Sequence, residues 1–244
     1  MYYSHGYGYG YGYGGGASTI LYLLLIVVGV ISMIASLKVN STYKKYNKVR
    51  SMTGMTGAQA AERLLRNAGI YDVGIGRVSG NLTDHYNPAT KVLNLSDATF
   101  ASASVAAVAV AAHECGHAIQ HNEGYVPLKV RSAIVPVANI GSKAGIPIIL
   151  LGYFLGQNMF LVQLGIMIFS VAVLFQVVTL PVEFDASRRA LKLLESQGIL
   201  SHEENRMSRK VLSAAAMTYV AAAAASILQL LRLIAIFGGG RRRD

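Results

Sequence analysis

Long apolar runs dominate the hydrophobic pattern of this chain, and shorter polar stretches separate them. The first run, Ser18 to Leu37, has 20 residues and no charge, which is about the length that a helix needs to cross a bilayer. Two further apolar regions follow, at residues 133–181 and at residues 211–237. Runs of this length are typical of membrane-spanning helices, so the pattern predicts a mainly α membrane protein.

The second apolar region, residues 133–181, predicts a transmembrane helical hairpin, because Gln157-Asn158 interrupts it near its middle. Its second arm, Met159 to Leu180, is an uncharged stretch of 22 residues, long enough to span. The first arm contains Lys143 and two prolines, so we expect it to be kinked or partly buried in protein. After the hairpin, Pro181 suits the first turn of a new helix.

The last apolar run leaves two placements open within residues 211–244. It is long enough to span, yet Arg232 lies within it and three arginines follow it at residues 241–243. A crossing would leave these arginines outside, whereas basic residues concentrate in cytoplasmic loops. We therefore favour a helix that packs on the polar part of the protein and lies at the inner membrane interface, where the arginines contact anionic lipid.

Short-range signals organise the polar stretch that follows the first span. Residues 51–69 predict a helix that Thr56 caps and Gly69 ends. Residues 71–97 alternate between apolar and polar positions, and this period of two predicts a small antiparallel sheet. A strand in this sheet either pairs with an extended peptide or has no role in binding.

Two other stretches carry weaker signals. Residues 1–17 are largely a Tyr/Gly repeat, which predicts a disordered tail because alternating glycines cannot form a packed core. Residues 182–210 predict a helix and then a loop, and Ser201 suits the N-cap of the next helix.

Composition and charge agree with a membrane protein. The chain has 244 residues, 53% of them hydrophobic and 14% charged, and a net charge of +10. Several basic residues follow the first span at residues 38–50, so the positive-inside rule places that end in the cytoplasm and the N-terminus outside. A nucleic-acid partner is not expected, because no recognition fold accompanies the basic residues. The sequence predicts the bilayer as a partner and identifies no partner protein.

The chemistry of the chain is concentrated in His113-Glu114-Cys115-Gly116-His117, an H-E-x-x-H motif in an alanine- and valine-rich stretch typical of a helix. Residues four apart share a helix face, so His113 and His117 can bind one Zn²⁺ from the same side. Glu114 can hold a water molecule and act as a general base. Cys115, the single cysteine, points away from that face, and we interpret it as a small core residue.

A third ligand is expected after the hairpin, because catalytic zinc usually has three protein ligands and one open position. Two crossings return the chain to the side of the histidines, where Glu183 and Asp185 lie. Two residues apart on a helix point about 200° apart, so both cannot easily reach the metal. We choose Glu183 as the ligand, and we assign Asp185 to a salt bridge or to the support of a ligand.

The H-E-C-G-H motif, followed after a membrane hairpin by Glu183-Phe184-Asp185-Ala186-Ser187, resembles the YugP-type membrane zinc metallopeptidases. The ligand helices also resemble, more distantly, gluzincin peptidases of the HtpX and CAAX-prenyl-protease type. In those relatives an aspartate stands where this chain has Ser187. The resemblance implies a gluzincin-like zinc peptidase core, formed largely by residues 38–132, that acts in or beside the membrane and faces the cytoplasm.

These observations predict a zinc-dependent membrane endopeptidase in which His113, His117 and Glu183 bind Zn²⁺ and Glu114 is the base. Its substrates would be membrane or membrane-proximal proteins or peptides. The alternatives are a non-catalytic scaffold with a zinc site and a metal transporter; the latter requires ionisable residues within the spans, and Met159 to Leu180 has none.

Other polar residues have weaker assignments. Candidates for stabilising the oxyanion are a tyrosine, His202 or Arg188, and the sequence does not choose among them. His121 lies too far along the helix from His113 to share its ion, and His85 is interpreted as a turn residue.

Overall fold

The computed structural model describes residues 14–237, and the side chains from residue 19 onwards. Most of this part of the chain is helical. The elements in chain order are α1 (Gly14–Tyr46), α2 (Gly57–Asn67), β1 (Gly74–Val78), β2 (His85–Asn87), β3 (Val92–Ser96), α3 (Asp97–Phe100), α4 (Val105–Asn122), α5 (Val126–Phe154), α6 (Met159–Ser196) and α7 (His202–Phe237). Helix α1 begins at Gly14, so it includes residues 14–17, which we assigned to the tail. Residues 1–13 of that tail and the arginines at 241–243 lie outside the described residues.

Four of the described helices, α1, α5, α6 and α7, are long and apolar enough to cross a membrane. Their main contacts place them in the order α1, α7, α6, α5, with α1 held chiefly by α7. Most large apolar side chains of α1 are exposed, as expected for a helix that faces lipid. The described chain is thus mainly helical and has four candidate membrane-spanning helices, as expected for the mainly α membrane protein that the sequence predicted.

The packing of α7 favours a span over the interfacial placement that we preferred from the sequence. Phe237 at the end of α7 contacts the ring of Tyr153, near the tip of the α5–α6 hairpin, at a centroid distance of 6.0 Å. Arg232 lies over the ring of Tyr22, in the N-terminal half of α1, at 5.2 Å. The cation–π contact gives the arginine a partner within the bundle, which the charge pattern alone did not reveal.

The hairpin turns where the sequence predicted, but its second helix is longer than expected. Gln157 adopts a positive φ of 61°, and the Asn158 side chain accepts a hydrogen bond from the Leu161 amide at 3.3 Å, which caps α6. The prediction that Pro181 starts a new helix is wrong, because α6 continues through it to Ser196. One helix therefore connects the turn of the hairpin to the predicted ligand Glu183.

Glycines let the two arms of the hairpin approach closely. A Cβ atom added at Gly165 would lie 2.6 Å from the Ile149 side chain and 2.7 Å from the Gly145 carbonyl oxygen. Gly152 has similarly close neighbours in the facing helix. Close backbone contact at small residues is the usual way in which membrane helices associate, since lipid offers no hydrophobic drive.

The small sheet is mixed rather than antiparallel, so that part of the predicted fold was wrong. Its strand order is β1-β3-β2, with β1 parallel to β3 and β2 antiparallel to it. The short strand β2 lies within the segment that we read as a turn, and it occupies the other side of β3. The two apolar strands, β1 and β3, therefore run in the same direction.

A buried apolar core, formed largely outside the bundle of long helices, holds α4 in place. Apolar residues of α2, β3, α4, α6 and the start of α7 form one buried cluster, in which Leu64, Leu93, Leu95 and Leu194 are fully buried. Helix α2 has the predicted cap, since Thr56 and Gln59 form a reciprocal capping box, and Gly69 follows it with a φ of 72°. This core fixes the position of α4 beneath the membrane helices.

Candidate metal centre

Helix α4 carries the motif and begins at a well-formed cap. The Ser104 hydroxyl accepts a hydrogen bond from the Ala107 amide at 3.1 Å. The helix continues through Gly116, where a Cβ atom would lie 2.6 Å from the Ala186 carbonyl oxygen of α6. The missing side chain thus lets α4 and α6 touch beside the metal-binding residues, which is a packing role for this glycine rather than a helix-ending one.

The structure brings the three predicted ligands together. The ligand atoms of His113, His117 and Glu183 all lie within 4.8 Å of one another. Glu183 Oε2 is 3.2 Å from His113 Nε2 and 3.7 Å from His117 Nε2. Glu183 is only 3% exposed, so its carboxylate has little access to solvent. Two imidazoles and one carboxylate that converge in this way are a common donor set of catalytic zinc sites.

Neutral side chains hold the outer nitrogen of each imidazole. His113 Nδ1 is 3.1 Å from the Ser187 hydroxyl, and His117 Nδ1 is 3.1 Å from Gln120 Oε1. Gln120 in turn donates to Asp185 Oδ2 at 2.9 Å. Ser187 therefore takes the position next to His113, and Asp185 acts one residue further out, through Gln120. Such partners fix the orientation of metal-binding histidines.

The charge of the site suits a cation. Glu114 and Glu183 are both buried, and apart from the two histidines Glu183 contacts Arg131, whose Nη1 lies 3.4 Å from Oε1. Although burial opposes it, hydrogen bonding to Glu183 and the charge of Glu114 raise the pKa of the His117 imidazole. Buried carboxylates require compensating charge, and a divalent ion bound by these ligands would supply it. The residues present thus fit Zn²⁺.

Glu114 lies beside the ligands at a cavity of about 390 Å³. Its Oε2 accepts a hydrogen bond from the Tyr86 backbone amide of β2 at 3.0 Å. The cavity is bounded by the C-terminal part of α1 around Asn40 and Tyr43, and by α7. Two candidate membrane helices therefore form walls of the space next to the metal ligands.

Tyr219 is a site residue that we did not single out from the sequence. It extends from α7 into the cavity with His113, Glu114 and Glu183, and its side chain interacts with the Glu183 carboxylate. The signal was an isolated tyrosine in an alanine-rich apolar helix, which one chain alone does not distinguish from a packing residue. Of the oxyanion candidates that we considered, a tyrosine is the one that reaches the cavity.

The other two oxyanion candidates lie elsewhere. The side chain of His202 is 74% exposed and contacts Glu195 at 3.0 Å. The side chain of Arg188 is 76% exposed and pairs with Asp185. Neither residue lines the cavity, so we discard both as groups that stabilise charge at the reacting carbonyl.

The remaining candidates have structural surroundings. His85 is a strand residue rather than a turn residue, and its Nε2 lies 3.2 Å from Asn94 Nδ2. His121 Nδ1 is 2.8 Å from the Tyr86 hydroxyl and does not join the ligand group. Cys115 is fully buried in the core as predicted, and burial raises the pKa of its thiol.

Comparison with known proteins covers nearly the whole described chain. Residues 21–238 match the family model described as "Putative neutral zinc metallopeptidase". The chain is 46% identical over 211 residues to the "Putative membrane protease YugP" of Bacillus subtilis (strain 168), an alignment that covers 86% of this chain and 93% of that protein. No solved structure matches the chain. The family match runs from within α1 to the end of α7 and so includes every residue of the metal centre.

Proposed function

The chain belongs to the "Putative neutral zinc metallopeptidase" family, and on this premise we propose that it is a zinc-dependent endopeptidase of the cell membrane. The resemblance to the YugP type inferred from the motifs is thereby confirmed. The observation that carries the proposal is the convergence of His113, His117 and Glu183 within 4.8 Å, at a cavity that Glu114 also lines. Three ligands with a carboxylate beside them are typical of a catalytic site that keeps one position open.

The chain's own residues divide the chemistry of peptide hydrolysis among them. When bound, Zn²⁺ supplies Lewis-acid chemistry, which lowers the pKa of water and polarises a carbonyl group. Glu114 accepts a proton from the water that attacks the peptide carbonyl carbon, and it passes this proton to the departing amine. Tyr219 donates a hydrogen bond to the carbonyl oxygen, where negative charge develops as the carbon becomes tetrahedral.

The location of the cavity supports a substrate class and an orientation. The cavity meets the end of α1 where Lys38, Lys44 and Lys45 lie, and basic residues favour the cytoplasmic side. We therefore infer that the metal centre faces the cytoplasm at the membrane surface. Walls formed by α1 and α7 suit membrane or membrane-proximal protein substrates, whose cut segment lies near the bilayer.

Metal content of detergent-purified protein tests the site. We expect about one zinc per chain in wild type and in Glu114→Gln, because Glu114 is not a ligand. Glu183→Ala should lose the metal, whereas Asp185→Ala should retain most of it, since Asp185 acts through Gln120. Retention in Glu183→Ala with loss in Asp185→Ala would reverse the ligand assignment, and wild-type protein that takes up no zinc would contradict the proposal.

Cleavage of fluorescein-labelled casein separates the enzyme from a non-catalytic scaffold with a zinc site. If the protein is an enzyme, the wild type should cleave casein. The turnover of Glu114→Gln should be lower by several orders of magnitude, since the general base is gone. Tyr219→Phe keeps the ring and removes only the hydroxyl, so it should lower kcat about 10²-fold while zinc stays bound. A scaffold would show no zinc-dependent cleavage and no difference among the three proteins.

A further inference from the structure

Glu114 and His121 lie on the same face of α4, although they are seven residues apart. Seven residues bring a helix back to within about 20° of its starting direction and advance it by about 10.5 Å. Tyr86 of the neighbouring strand β2 contacts both residues. Its backbone N–H donates to Glu114 Oε2 at 3.0 Å, and its hydroxyl lies 2.8 Å from His121 Nδ1. One residue therefore bridges two turns of the catalytic helix.

Ring contact and strand pairing both restrict the position of Tyr86. Its ring packs against His121 with a centroid distance of 5.8 Å and an interplanar angle of 50°. Across the sheet, Tyr86 lies opposite Leu93, which is fully buried. The strand is also held near its start, where Asp84 accepts hydrogen bonds from the Ser96 amide at 2.7 Å and from its hydroxyl at 2.8 Å.

Strand β2 is an edge strand of the sheet, so the Tyr86 amide would otherwise face water or another strand. Here the amide donates a hydrogen bond to the carboxylate of the buried residue Glu114. A backbone amide bound to a carboxylate is a charge-assisted hydrogen bond, and it fixes one of the two oxygens in space. The second oxygen is then presented in a constant direction.

We propose that Tyr86 and His121 form a positioning pair that holds the carboxylate of Glu114 in its reactive orientation. The proposal rests on the role of Glu114 as general base in the proposed function. The hydroxyl–imidazole contact anchors the Tyr86 side chain to the last turn of α4, and this anchor keeps the backbone amide against Glu114. A base that can rotate away from the water loses rate without losing the metal.

Kinetics on fluorescein-labelled casein test the pair. We expect Tyr86→Phe and His121→Phe each to lower kcat roughly 10- to 100-fold, with KM nearly unchanged and about one zinc still bound per chain. The double variant should be no slower than the slower single variant, because both substitutions break the same contact. Matched controls are Tyr71→Phe, at a tyrosine that is 80% exposed, and His85→Phe, on the same strand; both should retain kcat.

Hydrogen exchange gives a readout that does not depend on catalysis. The Tyr86 amide should exchange slowly in wild type and fast in Glu114→Ala, and it should exchange at an intermediate rate in Tyr86→Phe. Tyr71→Phe should leave this amide protected. Equal exchange of the amide in wild type and Glu114→Ala would overturn the proposed contact, even if a variant were too unstable for kinetics.

The two proposals fail in different ways. Wild-type protein that cleaves casein no faster than Glu114→Gln would overturn the peptidase function, and the positioning role with it. Cleavage by wild type together with undiminished kcat in Tyr86→Phe and His121→Phe would overturn the positioning pair alone. Loss of zinc in either Phe variant would also overturn it, since the pair would then support the ligands and not the base.

Discussion

The two proposed histidine ligands each contact a neutral side chain at their outer nitrogen, Ser187 for His113 and Gln120 for His117. A neutral partner orients an imidazole without adding charge. A carboxylate partner would also raise the basicity of the imidazole and so make it a stronger ligand for the metal. The net charge of the site therefore depends on Glu183 and Glu114, with Arg131 beside Glu183. The distant relatives have an aspartate at the position of Ser187, so the resemblance to them did not indicate a neutral partner for His113.

Removal of the Ser187 hydroxyl should weaken metal binding. In Ser187→Ala, His113 loses its partner at 3.1 Å, and we expect zinc affinity to fall roughly 10- to 100-fold. Competition with a chelator of known affinity measures the change. Ser142→Ala is the matched control, because Ser142 is exposed and bonds only a carbonyl of its own helix, that of Asn139. Equal zinc affinity in both variants would show that Ser187 does not support the ligand.

Cys115 provides a probe of the folded state. It is fully buried, and burial raises the pKa of its thiol, so the reactive thiolate is scarce at neutral pH. We expect a maleimide to label native protein in detergent very slowly and denatured protein quickly. A Glu62→Cys, Cys115→Ala variant should react fast in both states, because Glu62 is exposed on α2. Rapid labelling of native wild type would mean that the α4 core is open.

At this scale the sequence predicted that His113, His117 and Glu183 share an ion, and their ligand atoms do lie within 4.8 Å of one another. The convergence could be predicted because the histidine spacing is local and the position of Glu183 follows from the number of crossings. The sequence did not identify Tyr219 or Tyr86. Each acts through a contact between elements far apart in the chain, and a tyrosine in an apolar stretch resembles any packing residue.

At the scale of elements, two helices meet at the metal centre by backbone contact. Gly116 of α4 lies against Ala186 of α6, between the helix that carries the histidines and the one that carries Glu183. The glycine inside the motif is visible in the sequence. The reason for it is not, because it depends on contact with Ala186 of α6, which lies 70 residues further along the chain. The mixed sheet was missed for a related reason: β2 is three residues long, and its pairing with β3 decides the strand order.

A methyl group at Gly116 should separate the helices and spoil the site. Its Cβ would lie 2.6 Å from the Ala186 carbonyl oxygen and 3.0 Å from the Ala186 Cα, and the backbone there has to move. We expect Gly116→Ala to lose most of its zinc and about 1–3 kcal/mol of stability. Gly29→Ala is the control, because no atom lies within 4 Å of its added Cβ. Metal content and thermal unfolding measure both effects, and a Gly116→Ala protein with full zinc would contradict this account.

The described part of the molecule combines a row of four helices that could cross a membrane with a compact polar part. Apolar run length predicted the first span and the hairpin, and both regions form helices that are long and apolar enough to cross a membrane. It did not place α7, because Arg232 and the arginines after it oppose a crossing by charge, whereas the contacts with Tyr22 and Tyr153 favour one. The positive-inside rule describes how a chain inserts into the membrane. Contacts between helices in the folded bundle can outweigh it.

Labelling of intact cells tests the orientation. In a Cys115→Ala background, a membrane-impermeant maleimide should label Gln157→Cys, in the outer turn of the hairpin, and should not label Glu62→Cys in α2. Both positions are exposed, so the difference reports the side of the membrane. The reverse pattern would place the metal centre outside. A reporter fused after α7 should lie on the same side as Gln157 if this helix spans.

The continuity of α6 has a consequence for where a substrate would be cut. From Met159 at the hairpin turn to Glu183 the helix advances 24 residues, or about 36 Å, slightly more than the roughly 30 Å thickness of a hydrocarbon core. If α6 crosses the bilayer, its continuity would keep the candidate metal centre at a constant height above the membrane surface. A substrate anchored in the same bilayer would then be cut at a fixed distance from its own anchor. Spacer residues inserted between anchor and cut site should move the cut to a new peptide bond, and the height would stay the same.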